Sequence, residues 1–176
     1  MPDVPETRQR AKAAESVARL WTSISRARSW TLRLPPWRRR VVAALAGMLA
    51  TVGQAPTHFV PAFVIAVCVL IWLLDAAAAR ARPTASAFHA GWWFGFGYFA
   101  LGLQWVSSPF STDAALGPLW GAAAVLALAA VLALFWGAGA ALAIRAWTSD
   151  ARRIAVFAAA LGASEWLRGH VLTGFP

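Results

Sequence analysis

The sequence has little charge for its length. Charged residues make up 13% of its 176 residues, whereas hydrophobic residues make up 60%. A soluble domain usually has about a quarter of its residues charged, so this chain has too little polar surface to cover a soluble globule. The shortage of charge therefore predicts that lipid surrounds most of the chain.

Cysteine is almost absent as well, since Cys68 is the only one. A single cysteine excludes an intrachain disulfide. It lies within an apolar run, where we expect a small buried hydrophobic side chain, because a catalytic thiol needs a polar and activating environment. The sequence has neither a second cysteine nor a cluster of histidines that would indicate a metal site. No metal and no cofactor is predicted.

Acidic residues are scarce beside basic ones. The chain has 16 basic and 7 acidic residues, giving a formal net charge of +9, and ten of the basic residues precede Val41. A basic chain often binds nucleic acid. Here the basic residues flank hydrophobic runs, which is typical of charges that orient a protein in a membrane, so nucleic acid is not predicted as a partner.

What the sequence has in abundance is apolar runs. Five of them predict membrane-spanning helices, and they lie near residues 41–55, 59–79, 85–106, 119–147 and 154–168. The predicted fold is therefore all-α, a polytopic transmembrane helical bundle of about five spans. Residues 41–176 form its transmembrane domain.

The connections between these runs alternate in charge. Basic residues follow the second run (Arg80 and Arg82) and flank the turn after the fourth (148–150), whereas segments 53–58 and 107–118 have none. Because basic residues gather on cytoplasmic connections, the alternation predicts a cytoplasmic N-terminus and an outward end of the fifth span. Asp75 is expected to be an interfacial anchor close to Arg80 and Arg82.

Residues 1–40 are a basic cytoplasmic extension with two open interpretations. Four apolar residues fall at helical spacing, which favours a short amphipathic helix on the membrane surface; they are Val17, Leu20, Trp21 and Ile24. The alternative is a disordered tail. Pro35-Pro36 breaks any helix before the first span.

The third run is rich in glycine and aromatic residues. Gly91 and Gly95 form a GxxxG pair, a spacing that lets helix backbones approach closely in lipid. A groove for an acyl chain is the alternative, and spacing alone leaves both open.

The end of the fifth run, SEWLRGHVLTGFP from Ser164 to Pro176, has an unusual group of charges. Glu165 and Arg168 are three residues apart and can pair on one helical face, and Gly169 is placed to end the helix. One interpretation is a structural ion pair. The other is that Arg168 or His170 contacts a lipid phosphate.

This segment resembles the apolipoprotein N-acyltransferase family, whose members have a similar E-x-L-R-G-x-x-L-T-G-F-P stretch. Residues 91–106, GWWFGFGYFALGLQWV, resemble the family's third span, including its terminal Trp105. The resemblance covers roughly residues 41–176. The candidate lipid-contact or structural residues are then Trp105, Glu165, Arg168, His170 and Thr173.

The resemblance implies an inner-membrane, multi-pass enzyme of lipoprotein biosynthesis. Family members transfer an acyl chain from a phospholipid to the lipidated N-terminal cysteine of an apolipoprotein, using a Glu-Lys-Cys triad in a periplasmic nitrilase-like domain. That domain would follow the matched region, so no catalytic residue is assigned to this chain. We expect the chain to be a fragment that is inactive alone, with phospholipid donor, apolipoprotein acceptor and membrane lipids as partners.

Two other function classes remain. One is a non-catalytic membrane anchor or scaffold domain. The other is a transporter subunit, which the scarcity of polar residues in the apolar runs disfavours. The coding sequence after Pro176 discriminates them, because a nitrilase-like domain there supports the acyltransferase.

Overall fold

The structure, a computed structural model, describes residues 4–108, 110 and 117–171. Within these ranges the chain is all-helical, with no strand, as the sequence predicts. Six α-helices follow one another: α1 (Val4–Arg33), α2 (Pro36–Thr51), α3 (Val60–Ala78), α4 (Pro83–Gly102), α5 (Gly117–Ala143) and α6 (Arg152–Val171). Short 3₁₀ turns follow α4 at Gln104–Ser107 and α5 at Ile144–Ala146.

Helix α4 is at the centre of the bundle, where it packs against α2, α3 and α5. Helix α6 packs on α5, and α1 packs on α3. The core is made of small and medium side chains, with Phe94 and Leu70 fully buried. Such small side chains let helix backbones approach one another closely.

Glycines permit this packing. A Cβ on Gly91 would lie 2.5 Å from the carbonyl oxygen of Trp136, and one on Gly95 would lie 2.9 Å from Trp136 Cβ. On the other side of α4, a Cβ on Gly97 would overlap the backbone of Ala44 in α2. The GxxxG pair therefore lies at the α4–α5 contact, and α4 approaches α2 through glycine as well.

The arginine-bearing connections gather at one end of the bundle, which we call the basic end. Asp75 at the end of α3 lies 3.2 Å from Arg28 Nη2 and 3.6 Å from Arg153 Nε. The indole of Trp147 donates a hydrogen bond to the same carboxylate at 3.1 Å. The partners of Asp75 thus come from α1, from the α5–α6 connection and from the start of α6, and its role as an interfacial anchor stays a prediction.

The N-terminal extension forms helix α1, which agrees with the helical interpretation of this segment. Its 30 residues form a continuous helix, so the disordered tail is wrong and the helix is longer than predicted. Its apolar residues Leu20 and Trp21 are 62% and 67% exposed. The helix ends at Arg33, and α2 begins at Pro36, as the Pro35-Pro36 pair predicts.

Two smaller predictions are also wrong. Helix α6 continues through Gly169 to Val171, and Gly169 does not have the positive φ of a C-terminal glycine. Cys68 is exposed, since it lies on a face of α3 that contacts none of the other described helices closely. The predicted third span, residues 85–106, corresponds to α4, which ends at Gly102, and to most of the 3₁₀ turn that follows it at Gln104–Ser107.

Two helices in the described ranges are long and apolar enough to cross a membrane by length and hydropathy. They are Val60–Ala78, with mean hydropathy 2.4, and Leu119–Ala146, with mean hydropathy 2.3. Helix α2 has 16 residues and so a length of about 24 Å, shorter than the roughly 30 Å hydrocarbon core. Helix length and hydropathy alone do not establish five crossings.

Candidate functional site

A cavity of about 880 Å³ opens at the end of the bundle opposite the basic end. It lies between the α2–α3 connection, the C-terminal turn of α4 and the last turns of α6. Its lining includes the loop residues 54–57, then Tyr98, Phe99 and Trp105, and Glu165 with Arg168. A volume in this range suits a small-molecule ligand or part of a larger one.

The ion pair of Glu165 and Arg168 forms one wall of this cavity. Arg168 Nη2 and Nε donate to Glu165 Oε2 at 2.7 and 3.0 Å, which confirms the pairing predicted from their spacing. The side chain of Arg168 is 12% exposed. Its guanidinium carbon also lies 5.7 Å from the ring centroid of Phe99, a cation–π distance that adds to its fixation.

Aromatic rings lie beside this ion pair and also line the cavity. Trp136 of α5 stacks on Phe94 and on Tyr98, with ring centroids 5.1 and 5.5 Å apart, and meets Phe99 edge-on at 6.5 Å. We call Phe94, Tyr98, Phe99 and Trp136 the aromatic cluster. Its position follows from Gly91 and Gly95, which leave room for the Trp136 backbone and side chain against α4.

Two buried polar atoms beside the cavity have no hydrogen-bond partner among the described residues. They are Glu165 Oε1, an acceptor, and Trp136 Nε1, a donor. Buried polar atoms in native proteins are nearly always paired, and an unpaired one costs about 1–3 kcal/mol. A bound molecule with polar groups would supply the missing partners.

The candidate residues from the sequence divide into three groups. Trp105, Glu165 and Arg168 line the cavity together. His170 does not line it, because its ring stacks on Trp166 at 4.3 Å and its Nδ1 lies 2.6 Å from the Trp166 carbonyl oxygen. Thr173 lies outside the described residues.

Several lining residues were not predicted. Tyr98 and Phe99 belong to the aromatic run of residues 91–106, where nothing distinguishes them from their neighbours, and Trp136 lies in an alanine- and leucine-rich helix. A tryptophan within such a run was a usable signal, since it departs from its surroundings. The sequence of the loop at 54–57 contains no signal that predicts it as part of the cavity, because its position there depends on how α2 and α3 are connected.

The lining can bind but has no reactive centre of its own. Among the described residues that line the cavity there is no cysteine, lysine or histidine. Glu165 is the one carboxylate in this lining, and it is held by Arg168. The arrangement joins an ion pair, aromatic side chains and three hydroxyl groups, from Thr51, Thr57 and Tyr98, which suits an amphipathic ligand with a polar head.

Comparison with known proteins gives the family. Residues 46–176 match the family described as "Apolipoprotein N-acyltransferase N-terminal domain". The chain belongs to this family. The match covers α3 to α6 completely and the C-terminal part of α2 from residue 46, so both the cavity and the aromatic cluster lie inside it.

Curated relatives carry the same name. The chain is 44% identical over 141 residues to an apolipoprotein N-acyltransferase of Rhodopseudomonas palustris, covering 80% of this chain and 26% of that protein. It is 39% identical over 158 residues to the one of Brucella melitensis, covering 87% of this chain and 30% of that protein. It is 42% identical over 149 residues to the one of Caulobacter vibrioides, covering 84% and 28%. The chain thus spans about 26 to 30% of the length of these relatives.

Proposed function

We propose that this chain is the membrane part of an apolipoprotein N-acyltransferase, an enzyme that moves an acyl chain from a phospholipid to the lipidated N-terminal cysteine of an apolipoprotein, the last step of lipoprotein maturation. The family match and the names of the relatives support this. The location is the bacterial inner membrane, with several crossings.

The proposed topology has five crossings with the N-terminus in the cytoplasm. Residues 41–176 form the transmembrane domain, and residues 1–40 form the basic cytoplasmic extension. The clustering of Arg28, Arg80 and Arg153 at one end of the bundle supports it, because basic residues gather on the cytoplasmic side. Helix α2 is short for a crossing, so local thinning of the bilayer or flanking side chains accommodate it.

The cavity at the opposite end is the proposed contact site for the phospholipid acyl donor. The observation that carries this proposal is that a fixed guanidinium and several aromatic side chains line one cavity of about 880 Å³. Arg168 suits a phosphate, since arginine binds phosphate with several N–H donors in a planar fork. Tyr98, Phe99, Trp136 and Leu161, which line the cavity, suit the apolar part of the lipid.

Arg168 gives the direct test of this site. In Arg168→Lys the charge stays but the fork is lost, so crosslinking of a photoreactive phosphatidylethanolamine to the purified chain should fall about tenfold. Arg82→Lys, at the basic end, is the matched control and should crosslink as the original chain does. Equal crosslinking of the two variants, both correctly inserted, rejects the phospholipid site.

Catalysis is not proposed for residues 1–176 alone. The described lining of the cavity holds no cysteine, and Cys68 is exposed on α3, away from that lining. We therefore expect no acyl thioester on the purified chain after incubation with a labelled phospholipid. A labelled thioester on Cys68 would overturn this part of the proposal.

A further inference from the structure

A second, smaller cavity lies at the basic end. Its volume is about 190 Å³, and it is enclosed by the start of α2, the end of α3 and the start of α4. Its lining is Pro36, Arg39, Arg40, Leu73, Arg80, Ser86, His89 and Ala90. Three arginines and a histidine therefore meet around one space.

No carboxylate belongs to this lining among the described residues. Other basic residues at this end do have carboxylate partners: Arg28 and Arg153 pair with Asp75, and Arg152 pairs with Asp150. Within the part of the chain that the structure describes, neither Arg40 nor Arg80 forms such a pair. The cavity is thus a place where positive charge is left uncompensated by the protein.

Arg39 is held in place by hydrogen bonds, and its pKa reflects the positive charge around it. Its Nε and Nη2 donate to the carbonyl oxygens of Leu34 and Leu32, both at 2.8 Å. Burial, and then the neighbouring charge of Arg80, lower the pKa of Arg39. A lowered arginine pKa means that the charged form is disfavoured at this position, and an anion in the cavity would relieve that.

The backbone adds to the positive potential. Helices α2 and α4 both begin beside this cavity, at Pro36 and Pro83, and neither has a side-chain cap or an acidic residue in its first turn. The N-terminus of a helix has partial positive charge, which favours a nearby anion. The N-termini of two helices and three guanidinium groups therefore all make the electrostatic potential in this cavity more positive.

We propose that this cavity binds the phosphate group of an anionic phospholipid from the leaflet at the basic end. The inference rests on the membrane placement proposed above, but it concerns a different site from the donor cavity. Leu73 and Ala90 give the space an apolar floor, and Trp37 beside it is 60% exposed with Arg38 over its ring at 5.0 Å. Exposed tryptophan and arginine at one level are typical of a membrane interface, and basic pockets between helices on the cytoplasmic side bind anionic head groups.

Binding of phosphatidylglycerol to the full chain in neutral detergent tests the proposal, measured by native mass spectrometry with phosphatidylcholine as reference. Arg40→Gln combined with Arg80→Gln removes two charges from the lining. It should weaken phosphatidylglycerol binding at least about tenfold and leave phosphatidylcholine binding unchanged. Arg39 is left intact, because its bonds to Leu32 and Leu34 tie α1 to α2.

The matched control is Arg38→Gln with Arg82→Gln, which removes the same charge from residues outside the lining. It should change phosphatidylglycerol binding less than about twofold. Equal weakening in both double variants would show diffuse surface attraction and overturn the proposal, as would unchanged binding in both. If the Arg40/Arg80 double variant elutes as an aggregate, each single substitution is measured instead, with about threefold weakening expected and no weakening contradicting the site.

A soluble competitor separates the two sources of phosphate. Inorganic phosphate at the concentration of the lipid should not displace phosphatidylglycerol, since the apolar floor adds affinity only for the lipid. Equal displacement would show a site for free phosphate and overturn the lipid assignment. Crosslinking of phosphatidylethanolamine at Arg168 should stay normal in the Arg40/Arg80 variant, so failure at one cavity is distinguishable from failure at the other.

Discussion

Arg28 of α1 and Asp75 of α3 are joined by an ion pair of 3.2 Å between residues 47 positions apart in the chain. The Asp75 side chain is 9% exposed and also accepts a hydrogen bond from Trp147. Arg153 lies 3.6 Å from the same carboxylate, and its buried Nε makes no hydrogen bond to the described residues. One carboxylate therefore fastens α1, α3 and the α5–α6 connection at the basic end.

This arrangement predicts unequal effects of substitution. Asp75→Ala leaves the largely buried Arg153 without its counter-charge, so the free energy of unfolding should fall by about 2–4 kcal/mol. Arg28→Gln should cost at most about 1 kcal/mol, because the Arg28 side chain is 47% exposed. Unfolding in mixed detergent micelles measures both. Equal losses in the two variants would contradict the central role given to Asp75.

Glycine packing gives a second prediction with a built-in control. In Gly47→Ala the new Cβ would overlap the carbonyl oxygen of Phe94 and lie 2.8 Å from the Tyr98 nitrogen. Overpacking against backbone should lower the free energy of unfolding by about 2 kcal/mol or more. Gly162→Ala, with no atom within 4 Å of its Cβ, should instead raise it by about 0.5–1 kcal/mol. Loss of stability in Gly162→Ala alone would contradict the packing described.

Asp150 predicts a pH dependence at the basic end. A hydrogen bond from Thr148 Oγ1 at 2.7 Å, and the backbone N–H of Arg152 at 3.1 Å, lower the pKa of Asp150 below its ordinary value of 3.8. A lowered folded-state pKa stabilises the fold above the unfolded value and loses that effect as pH falls. The difference in Tm between the original chain and Asp150→Ala should therefore be constant from about pH 7 to 5 and shrink below 3.8. A difference that grows on acidification would contradict this.

The contribution of the Glu165–Arg168 pair to stability can be separated from its contribution to lipid binding. Glu165→Ala removes the carboxylate that accepts two hydrogen bonds from the largely buried guanidinium of Arg168, so the free energy of unfolding should fall by about 1–3 kcal/mol. Glu165→Gln with Arg168→Gln removes both charges and should recover most of that loss. The double variant should still fail to crosslink phosphatidylethanolamine. Normal crosslinking in it would make the pair purely structural.

Much of the helical architecture could be predicted from the sequence, because its signals are local. Hydrophobic runs and basic connections placed α2 to α6 within a few residues, and a spacing of three gave the pair of Glu165 and Arg168. Pro35-Pro36 gave the break between α1 and α2. The extent of α1 was missed, since its apolar stripe covers only the middle of a helix that begins at Val4.

The long-range contacts could not be predicted in this way. Asp75 has nearer basic residues in the chain, Arg80 and Arg82, yet its partners come from 47 and 72 positions away. Trp136 joins the cavity only because α4 glycines let α5 come close. The partners of Asp75 and the position of Trp136 both depend on how the helices are arranged around α4. The periodicity of residues within a single helix does not predict that arrangement.

The most direct test of the account is the sidedness of the two ends of the bundle. With Cys68→Ala the chain has no cysteine, and single cysteines can replace Gln54 or Gln104 at the cavity end and Ala81 or Ser149 at the basic end. In intact cells a membrane-impermeant maleimide should label the first two positions, and it should label Ala81→Cys and Ser149→Cys only after the membrane is opened. Labelling of Ala81→Cys and Gln104→Cys from the same side would contradict the proposed membrane architecture.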